Sequence, residues 1–121
     1  MKIAIVRLSA LGDIFQSMIV LQFIKKKFPK AQIDWMVDES FQDALKDNHH
    51  INKIIPIPIK TIKKTKSLRE LFQVIRKLRQ LASYDYVFDL QGLIKSSLVA
   101  RLIPSKKRIG FDKNSIREKS A

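Results

Sequence analysis

The sequence has no cysteine, three glycines, four prolines and only 11 acidic residues among 121. Without cysteine, no disulfide framework, thiolate nucleophile or thiolate metal site is available. The longest apolar stretch, residues 14–24, is interrupted by Gln16, Ser17 and Gln22, and is well short of the ~20 apolar residues that span a bilayer. The amino terminus carries too short an apolar run for a signal peptide. We therefore expect neither export nor a membrane-spanning segment.

Glycine is also scarce where a nucleotide would need it. The first candidate loop, residues 9–13, contains one glycine, Gly12, whereas the dinucleotide fingerprint needs several and the phosphate loop needs a lysine before its Ser or Thr. A nucleotide at this loop is not supported. No repeat, low-complexity tract or Gly/Ser linker divides the chain, and its length is typical of one compact domain. We expect one domain, residues 1–121.

Positive charge is the one extreme feature that is present. The 24 Lys and Arg residues against 11 Asp and Glu residues give a net charge of +13. Such an excess favours polyanionic partners: nucleic acid, anionic lipid or a phosphorylated substrate. The charge does not choose among these partners, and a solvated surface of lysines remains the alternative.

Apolar runs and helical spacings alternate along the chain. They predict strands at 2–7, 33–37, 51–57, 84–90 and 108–111, and helices at 13–28, 68–81 and 92–103, with a short helical or irregular piece at 40–45. Each helix must cover apolar faces of the strands that it connects, so the alternation predicts an α/β fold, a Rossmann-like parallel sheet flanked by helices.

The same spacings predict which side chains are buried. In the first helix the apolar residues include Phe15, Ile19 and Phe23, which indicates a broad buried face. Trp35 and Phe72 are interpreted as core residues rather than as stacking platforms.

Three other segments carry local signals. Pro56 and Pro58 are expected to end the third strand, because proline lacks the amide hydrogen that a central strand would use. The residues after them, which include Lys60, Lys63 and Lys64, are expected to form a loop. The polar tail from residue 113 is expected to begin a helix.

In open α/β sheets, ligands bind beyond the carboxyl ends of the strands. Asp13 follows the first strand, and Gln16 three residues later completes a capping-box pattern, so spacing alone favours a helix cap at Asp13. The functional alternative is a carboxylate that points into the cleft and accepts a proton from a substrate hydroxyl. Both interpretations stay open at this point.

Two further loops carry candidate ligand-binding residues. After the fourth strand, Gly92 lets the backbone approach a ligand, and Gln91, Lys95 and Ser96 offer donors at a helix start. An ordinary turn glycine beside a solvated lysine is the alternative. The lysines at 60, 63 and 64 follow the third strand on the same rim and could bind phosphate or carboxylate groups, although a solvated charge run is the commoner case.

Three blocks of sequence together resemble a known family. They are KIAIVRLSALGD at residues 2–13, DLQGLIKS at residues 89–96, and GFD at residues 110–112 followed by SIRE at residues 115–118. In order and spacing they are similar to the heptosyltransferases of lipopolysaccharide inner-core assembly. The resemblance implies a GT-B glycosyltransferase of two Rossmann-like domains, which transfers heptose from ADP-heptose to Kdo of Kdo-lipid A with inversion and without a metal or cofactor.

The resemblance also implies roles for individual residues. Asp13 would be the catalytic base, in a domain that binds the acceptor. The acceptor-binding residues would be Ser9, Gly12, Lys60, Lys63, Lys64, Gln91, Gly92, Lys95, Ser96 and Arg117. The second domain, which would bind ADP-heptose, has no counterpart here, so we expect the chain alone not to turn over. The enzyme would act in the cytoplasm, on the cytoplasmic face of the inner membrane, whose anionic lipids attract basic proteins.

Two alternatives from other functional classes remain. One is a non-catalytic basic α/β module that binds anions or nucleic acid. The aromatic residues lie mostly at core spacing, which predicts no base-stacking platform and hence no nucleic-acid partner. The other is a flavodoxin-like regulatory domain, for which no nucleotide fingerprint is present.

Overall fold

A computed structural model describes residues 1–9, 11–91, 94–111 and 116–119, and of residues 94, 95, 111 and 116–119 it describes the backbone alone. The strands are β1 (Lys2–Val6), β2 (Gln32–Asp38), β3 (Lys53–Ile57), β4 (Tyr84–Asp89), β5 (Ser105–Phe111) and β6 (Ile116–Lys119). The helices are α1 (Leu11–Lys27), α2 (Ile59–Thr65), α3 (Leu68–Arg79) and α4 (Ile94–Leu102), with a short 3-10 helix at Glu39–Ala44.

The six strands form one sheet in the order β3-β2-β1-β4-β5-β6. β1 to β5 are parallel, and β6 pairs antiparallel with β5. Ile5 of β1 pairs with Trp35 on one side and with Phe88 on the other, so β1 lies between two parallel neighbours. The predicted α/β fold with a parallel sheet is confirmed, and the carboxyl ends of the five parallel strands meet at one edge.

Two apolar layers cover the two faces of the sheet. Ala4 and Val6 pack with residues of α3 and α4, which we call the α3–α4 layer. Ile3 and Ile5 pack with residues of α1, which we call the α1 layer. Successive side chains of a strand point to opposite faces, so the continuous apolar run of β1 supplies both layers at once. Among the residues that the structure describes, no helix is long and apolar enough to cross a bilayer.

Three predictions about individual segments are wrong. β3 ends at Ile57 with Pro58 directly after it, as predicted, but Pro56 lies inside the strand, where it pairs with Val37, because β3 is an edge strand that can leave one side of its backbone unpaired. The expected lysine loop is the helix α2, since Ile59 and Ile62 lie three residues apart on one apolar side, where Ile59 packs against the α3–α4 layer. The tail forms β6 at residues 116–119 rather than a helix.

The buried face of α1 is narrower than predicted. Ile14, Ser17 and Leu21 are buried, whereas Phe15, Ile19 and Phe23 are each more than half exposed. Trp35 is fully buried, as predicted, but Phe72 on α3 is 66% exposed and is not a core residue. Apolar surface therefore remains open on both sides of the sheet in the part of the chain that the structure describes.

A buried arginine joins β5 to the end of α4. Nε of Arg108 donates to the carbonyl oxygen of Ala100 at 2.9 Å, and Nη2 donates to those of Arg101 at 3.2 Å and Ile103 at 2.7 Å. Burial, with the charges of Arg79 and Arg101, lowers the pKa of Arg108. The carbonyl groups at a helix carboxyl end lack intrahelical partners and carry partial negative charge, so they stabilise the guanidinium.

A second buried polar contact crosses the sheet from β4 to β2. The hydroxyl of Tyr84 donates to Oδ2 of Asp34 at 2.5 Å, and Nδ2 of Asn52 donates to Oδ1 of Asp34 at 3.2 Å. Burial, and then the hydrogen bond and charge of Asp34, raise the pKa of Tyr84. The folded state therefore retains the Tyr84 proton at a pH at which an unfolded chain releases it.

We predict that the free energy of unfolding falls more steeply from about pH 9 to about pH 11 in the wild type than in Tyr84→Phe. Tyr84 contributes fully to the free energy of unfolding below the pKa of a tyrosine in the unfolded chain, about 10. Because the pKa of Tyr84 is raised in the folded state, this contribution is lost as the pH rises above that value. Urea titrations at successive pH values measure the slope. Tyr86→Phe removes the other tyrosine hydroxyl and is the control for the loss of a phenol group. Equal slopes for all three proteins would contradict the prediction.

Candidate functional site

The loops after β1 and β4 are joined by one side chain. Oε1 of Gln91 accepts hydrogen bonds from the backbone N–H of Leu8 at 2.8 Å and of Ser9 at 3.1 Å. Nε2 of Gln91 lies 3.4 Å from Oγ of Ser9. The backbone N–H of Gln91 donates to Oδ1 of Asp89 at 3.1 Å, which orients the residue at the strand end. The structure thus brings together Ser9 and Gln91, two of the predicted site residues.

Arg7 is the residue at this edge that the sequence analysis missed. Its Nη1 donates to the carbonyl oxygen of Leu90 at 2.6 Å, and its Nη2 lies 3.0 Å from Oδ2 of Asp13. Its carbonyl oxygen accepts from Nε1 of Trp35 at 3.1 Å. The only sequence signal was a cation at the end of an apolar strand, six residues before a carboxylate. Arg7 therefore holds the loops after β1 and β4 and the start of α1 in one arrangement.

Asp13 lies in the first turn of α1, which begins at Leu11, so it is the third helical residue rather than the cap. The prediction of a capping role for Asp13 is wrong, because its carboxylate pairs with Arg7 instead. A carboxylate in the first turn is stabilised by the helix dipole. Its side chain is 53% exposed, and a side chain added at Gly12 would meet nothing within 4 Å. The carboxylate is therefore both positioned by Arg7 and accessible to a ligand.

The three predicted lysines lie on α2, which begins where β3 ends. All three are exposed, and Nζ of Lys60 lies 4.4 Å from the ring centroid of Phe41. β3 is two strands from β1 in the sheet, which separates the two strand ends by about 10 Å. In the part of the chain that the structure describes, no hydrogen bond or ion pair connects these lysines to Asp13. They share its edge of the sheet without touching it.

The remaining predicted residues are placed differently or lie outside the description. Ser96 is fully buried in α4, so its side chain is not open to a ligand as the prediction required. Gly92 lies outside the described residues, as do the side chains of Lys95 and Arg117. Among the residues described, no group of three or more His, Cys, Asp or Glu side chains could hold a metal ion.

Comparisons with known proteins show what this chain is similar to. Residues 71–120 match the model of glycosyltransferase family 9 (heptosyltransferase). A lipopolysaccharide heptosyltransferase 1 from Campylobacter coli is 49% identical over 121 residues, which cover all of this chain and 34% of that protein. The chain therefore matches glycosyltransferase family 9 over residues 71–120 and is similar to heptosyltransferases over its whole length. A relative from Escherichia coli K12, also named lipopolysaccharide heptosyltransferase 1, is 32% identical over 98% of the chain and 38% of its own length.

Solved heptosyltransferase structures share the fold. An Escherichia coli heptosyltransferase WaaC with ADP superposes with a TM-score of 0.82 at 30% identity, over 98% of this chain and 38% of that one. The same enzyme with ADP-2-deoxy-2-fluoro heptose gives a TM-score of 0.83 at 28% identity. The chain thus spans about a third of the length of the curated relatives that it matches.

We predict that Gln91→Leu loosens the loop after β1 and lowers the free energy of unfolding by about 1–3 kcal/mol. The substitution keeps the approximate side-chain size but leaves the N–H groups of Leu8 and Ser9 without their acceptor. Amide hydrogen exchange at these two residues measures the loosening directly. Gln22→Leu, at an exposed position of α1, is the control. Unchanged exchange at Leu8 and Ser9 in Gln91→Leu would show that Gln91 does not organise the loop.

Proposed function

We propose that this chain supplies the acceptor-binding domain and the catalytic base of an inverting heptosyltransferase, which transfers heptose from ADP-heptose to Kdo of Kdo-lipid A. The observation that carries the proposal is the cluster of Arg7, Asp13 and Gln91 at the carboxyl edge of the sheet. The relatives named lipopolysaccharide heptosyltransferase 1 support heptose as the transferred sugar.

Asp13 is suited to accept a proton in this reaction. Inversion follows from one displacement: the acceptor oxygen bonds to the anomeric carbon of heptose while the bond from that carbon to the ADP oxygen breaks. The acceptor hydroxyl loses its proton as it attacks, and a carboxylate within hydrogen-bond reach can take it. Arg7 contacts Oδ2 of Asp13, and no described residue gives Oδ1 a hydrogen bond. Oδ1 is therefore the atom that we assign as the base.

The acceptor would be bound along the same edge. Kdo carboxylates and lipid A phosphates are anionic, and Lys60, Lys63 and Lys64 place three exposed cations beside the end of β3. The lysine ammonium acts as a point charge, whereas the planar guanidinium of arginine binds a carboxylate or phosphate through two parallel hydrogen bonds. This end of the site therefore attracts anions without fixing their orientation. Ser9, Gly12, Gln91, Gly92, Lys95 and Arg117 remain proposed contacts, and the burial of Ser96 argues against a direct one.

ADP-heptose would be bound by residues beyond those of this chain. The loop between β1 and α1 contains one glycine and no phosphate-loop lysine, so it lacks a nucleotide fingerprint. The solved relatives with ADP and with the fluorinated ADP-heptose are more than twice as long as the region matched here. We also propose that the enzyme acts on the cytoplasmic face of the inner membrane, where its +13 charge is attracted to anionic lipids.

The base is tested with a fusion in which this chain replaces the matching third of the Campylobacter coli relative. We predict that Asp13→Asn lowers kcat for heptose transfer by about 10²–10⁴-fold, the usual contribution of a general base. Asp43→Asn, at an exposed position of the 3-10 helix, is the matched control and should keep the wild-type kcat. A wild-type kcat in Asp13→Asn would remove Asp13 from the proposed role.

Acceptor binding is tested on the chain itself by calorimetric titration with deacylated Kdo-lipid A. Wild type and Asp13→Asn should bind it with similar affinity, because the base acts mainly in the transition state. Absence of binding would contradict the acceptor assignment. Heptose transfer by the 121-residue chain alone would contradict the assignment of ADP-heptose to residues outside it.

A further inference from the structure

An apolar groove lies on the α3–α4 side of the sheet. It encloses about 610 Å³ between α2, α3, α4 and the end of β3, a volume in the range of small-molecule sites, about 300–1,000 Å³. Its walls are aliphatic side chains, among them Ile59, Ile62, Leu71, Ile75 and Leu98. The groove is thus a hydrophobic site that the proposed chemistry at Asp13 does not use.

Apolar surface continues from the groove onto the exposed sides of the helices. Leu98 on its wall is 57% exposed, and Leu68 and Phe72 on α3 are 68% and 66% exposed. On a helix, residues three and four positions apart are neighbours, so Leu68, Leu71, Phe72 and Ile75 form one stripe. A contiguous exposed patch of this kind marks an interaction surface rather than scattered exposure.

The border of this surface is positively charged. Residues 59–81 contain eight Lys and Arg residues and one acidic residue, Glu70. Lys63 and Arg101 line the groove itself, and Arg69 and Arg76 lie three and four positions from Phe72 on α3. Glu70 lines a separate cavity of about 240 Å³. The apolar stripe is therefore bordered by cations, as in helices that lie in a lipid interface.

We propose that the groove takes an acyl chain of an anionic lipid and thereby docks the α2, α3 and α4 side of the domain on a lipid surface. An acyl chain matches the aliphatic walls, and an anionic headgroup pairs with Lys63 and Arg101 at their border. A nucleic acid would pair with the cations but would leave the aliphatic walls in contact with water. An uncharged apolar ligand would cover the walls but would leave the cations without counter-charges.

The position of α2 connects this surface to the edge of the sheet that carries Asp13. Ile57, the last residue of β3, and Lys63 of α2 both line the groove, and β3 ends at the same edge as β1. The groove therefore reaches the carboxyl edge at Ile57 and extends along α4 to Arg101. This link rests on the proposed function, whereas the groove and its charged border do not.

The first experiment is co-sedimentation of the chain with vesicles of phosphatidylglycerol and phosphatidylcholine in equal parts. Phe72→Glu should weaken binding by about tenfold or more, since it replaces an exposed apolar side chain of the stripe beside the groove by a charge that the lipid repels. Phe23→Glu is the matched control: Phe23 is 68% exposed and is followed by Lys25, Lys26 and Lys27, but it lies on α1, which covers the opposite face of the sheet from the groove. It should bind as the wild type does.

The second pair of variants tests the charged border. Arg101→Gln should weaken binding to the same vesicles, whereas Lys46→Gln, at an exposed position outside the border, should have little effect. Vesicles of phosphatidylcholine alone should bind the wild type more weakly than the mixed vesicles, because they offer no net anionic charge. Equal binding to both kinds of vesicle would contradict the proposed headgroup contact.

A third measurement locates the acyl chain. Leu98→Trp places an indole on the groove wall, and vesicles with brominated acyl chains should quench its emission. The emission of Phe23→Trp should not be quenched. The native Trp35 also emits, and because it is fully buried in the α1 layer, the wild-type protein measures its contribution to the signal. Quenching of Phe23→Trp alone would move the lipid contact to α1 and overturn the proposal.

Two further outcomes would overturn the proposal. In one, Phe72→Glu leaves vesicle binding unchanged but abolishes binding of a single-stranded oligonucleotide. In the other, sedimentation shows a dimer that Phe72→Glu dissociates, without any binding to vesicles. A failure of the lipid-groove proposal can be distinguished from a failure of the proposed function. Deacylated Kdo-lipid A has no acyl chain, so its binding does not test the groove. Its titration depends on the edge that carries Asp13, and vesicle binding depends on the groove.

Discussion

Parallel pairing of β1 on both of its sides is the constraint from which the site follows. β1 lies between β2 and β4 although β4 begins nearly 80 residues later in the chain. Because all three strands run in the same direction, the loops after β1 and β4 emerge side by side. The amide of Gln91 and the guanidinium of Arg7 then bridge two loops that are remote in sequence. Without this pairing, Asp13 would be an ordinary acidic residue in the first turn of a helix.

The carboxyl edge of the sheet and the apolar groove each suit a different part of a lipid-linked acceptor. The carboxyl edge offers a positioned carboxylate and exposed lysines, which suit a sugar hydroxyl and its anionic neighbours. The groove offers aliphatic walls with a cationic border, which suit an acyl chain below a charged headgroup. α2 belongs to both, because it starts at the carboxyl edge and its Ile59 and Ile62 form part of the groove. The segment expected to be a solvated loop is thus the element that connects the two surfaces.

Much of the fold followed from apolar periodicity. The strands of the parallel sheet and the long helices were predicted because buried strands need continuous apolar runs and amphipathic helices need apolar residues three and four apart. The predictions for individual residues were wrong where burial or strand pairing depended on the position of the segment in the tertiary structure. Pro56 is tolerated in β3 because that strand lies at the edge, and Phe15, Ile19, Phe23 and Phe72 stay exposed because no described element covers them. Neither fact can be read from local sequence.

The sequence by itself determined the α/β class, the strongly positive charge and the family-like blocks that single out Asp13 and Gln91. These depend on composition, on local periodicity and on short motifs, all of which a linear chain displays. Only the tertiary structure decided that Asp13 pairs with Arg7 rather than capping α1, that Ser96 is buried, and that α2, α3 and α4 enclose an apolar groove. The physical reason is that each of these depends on contacts between distant segments, which exist only after the strands have paired.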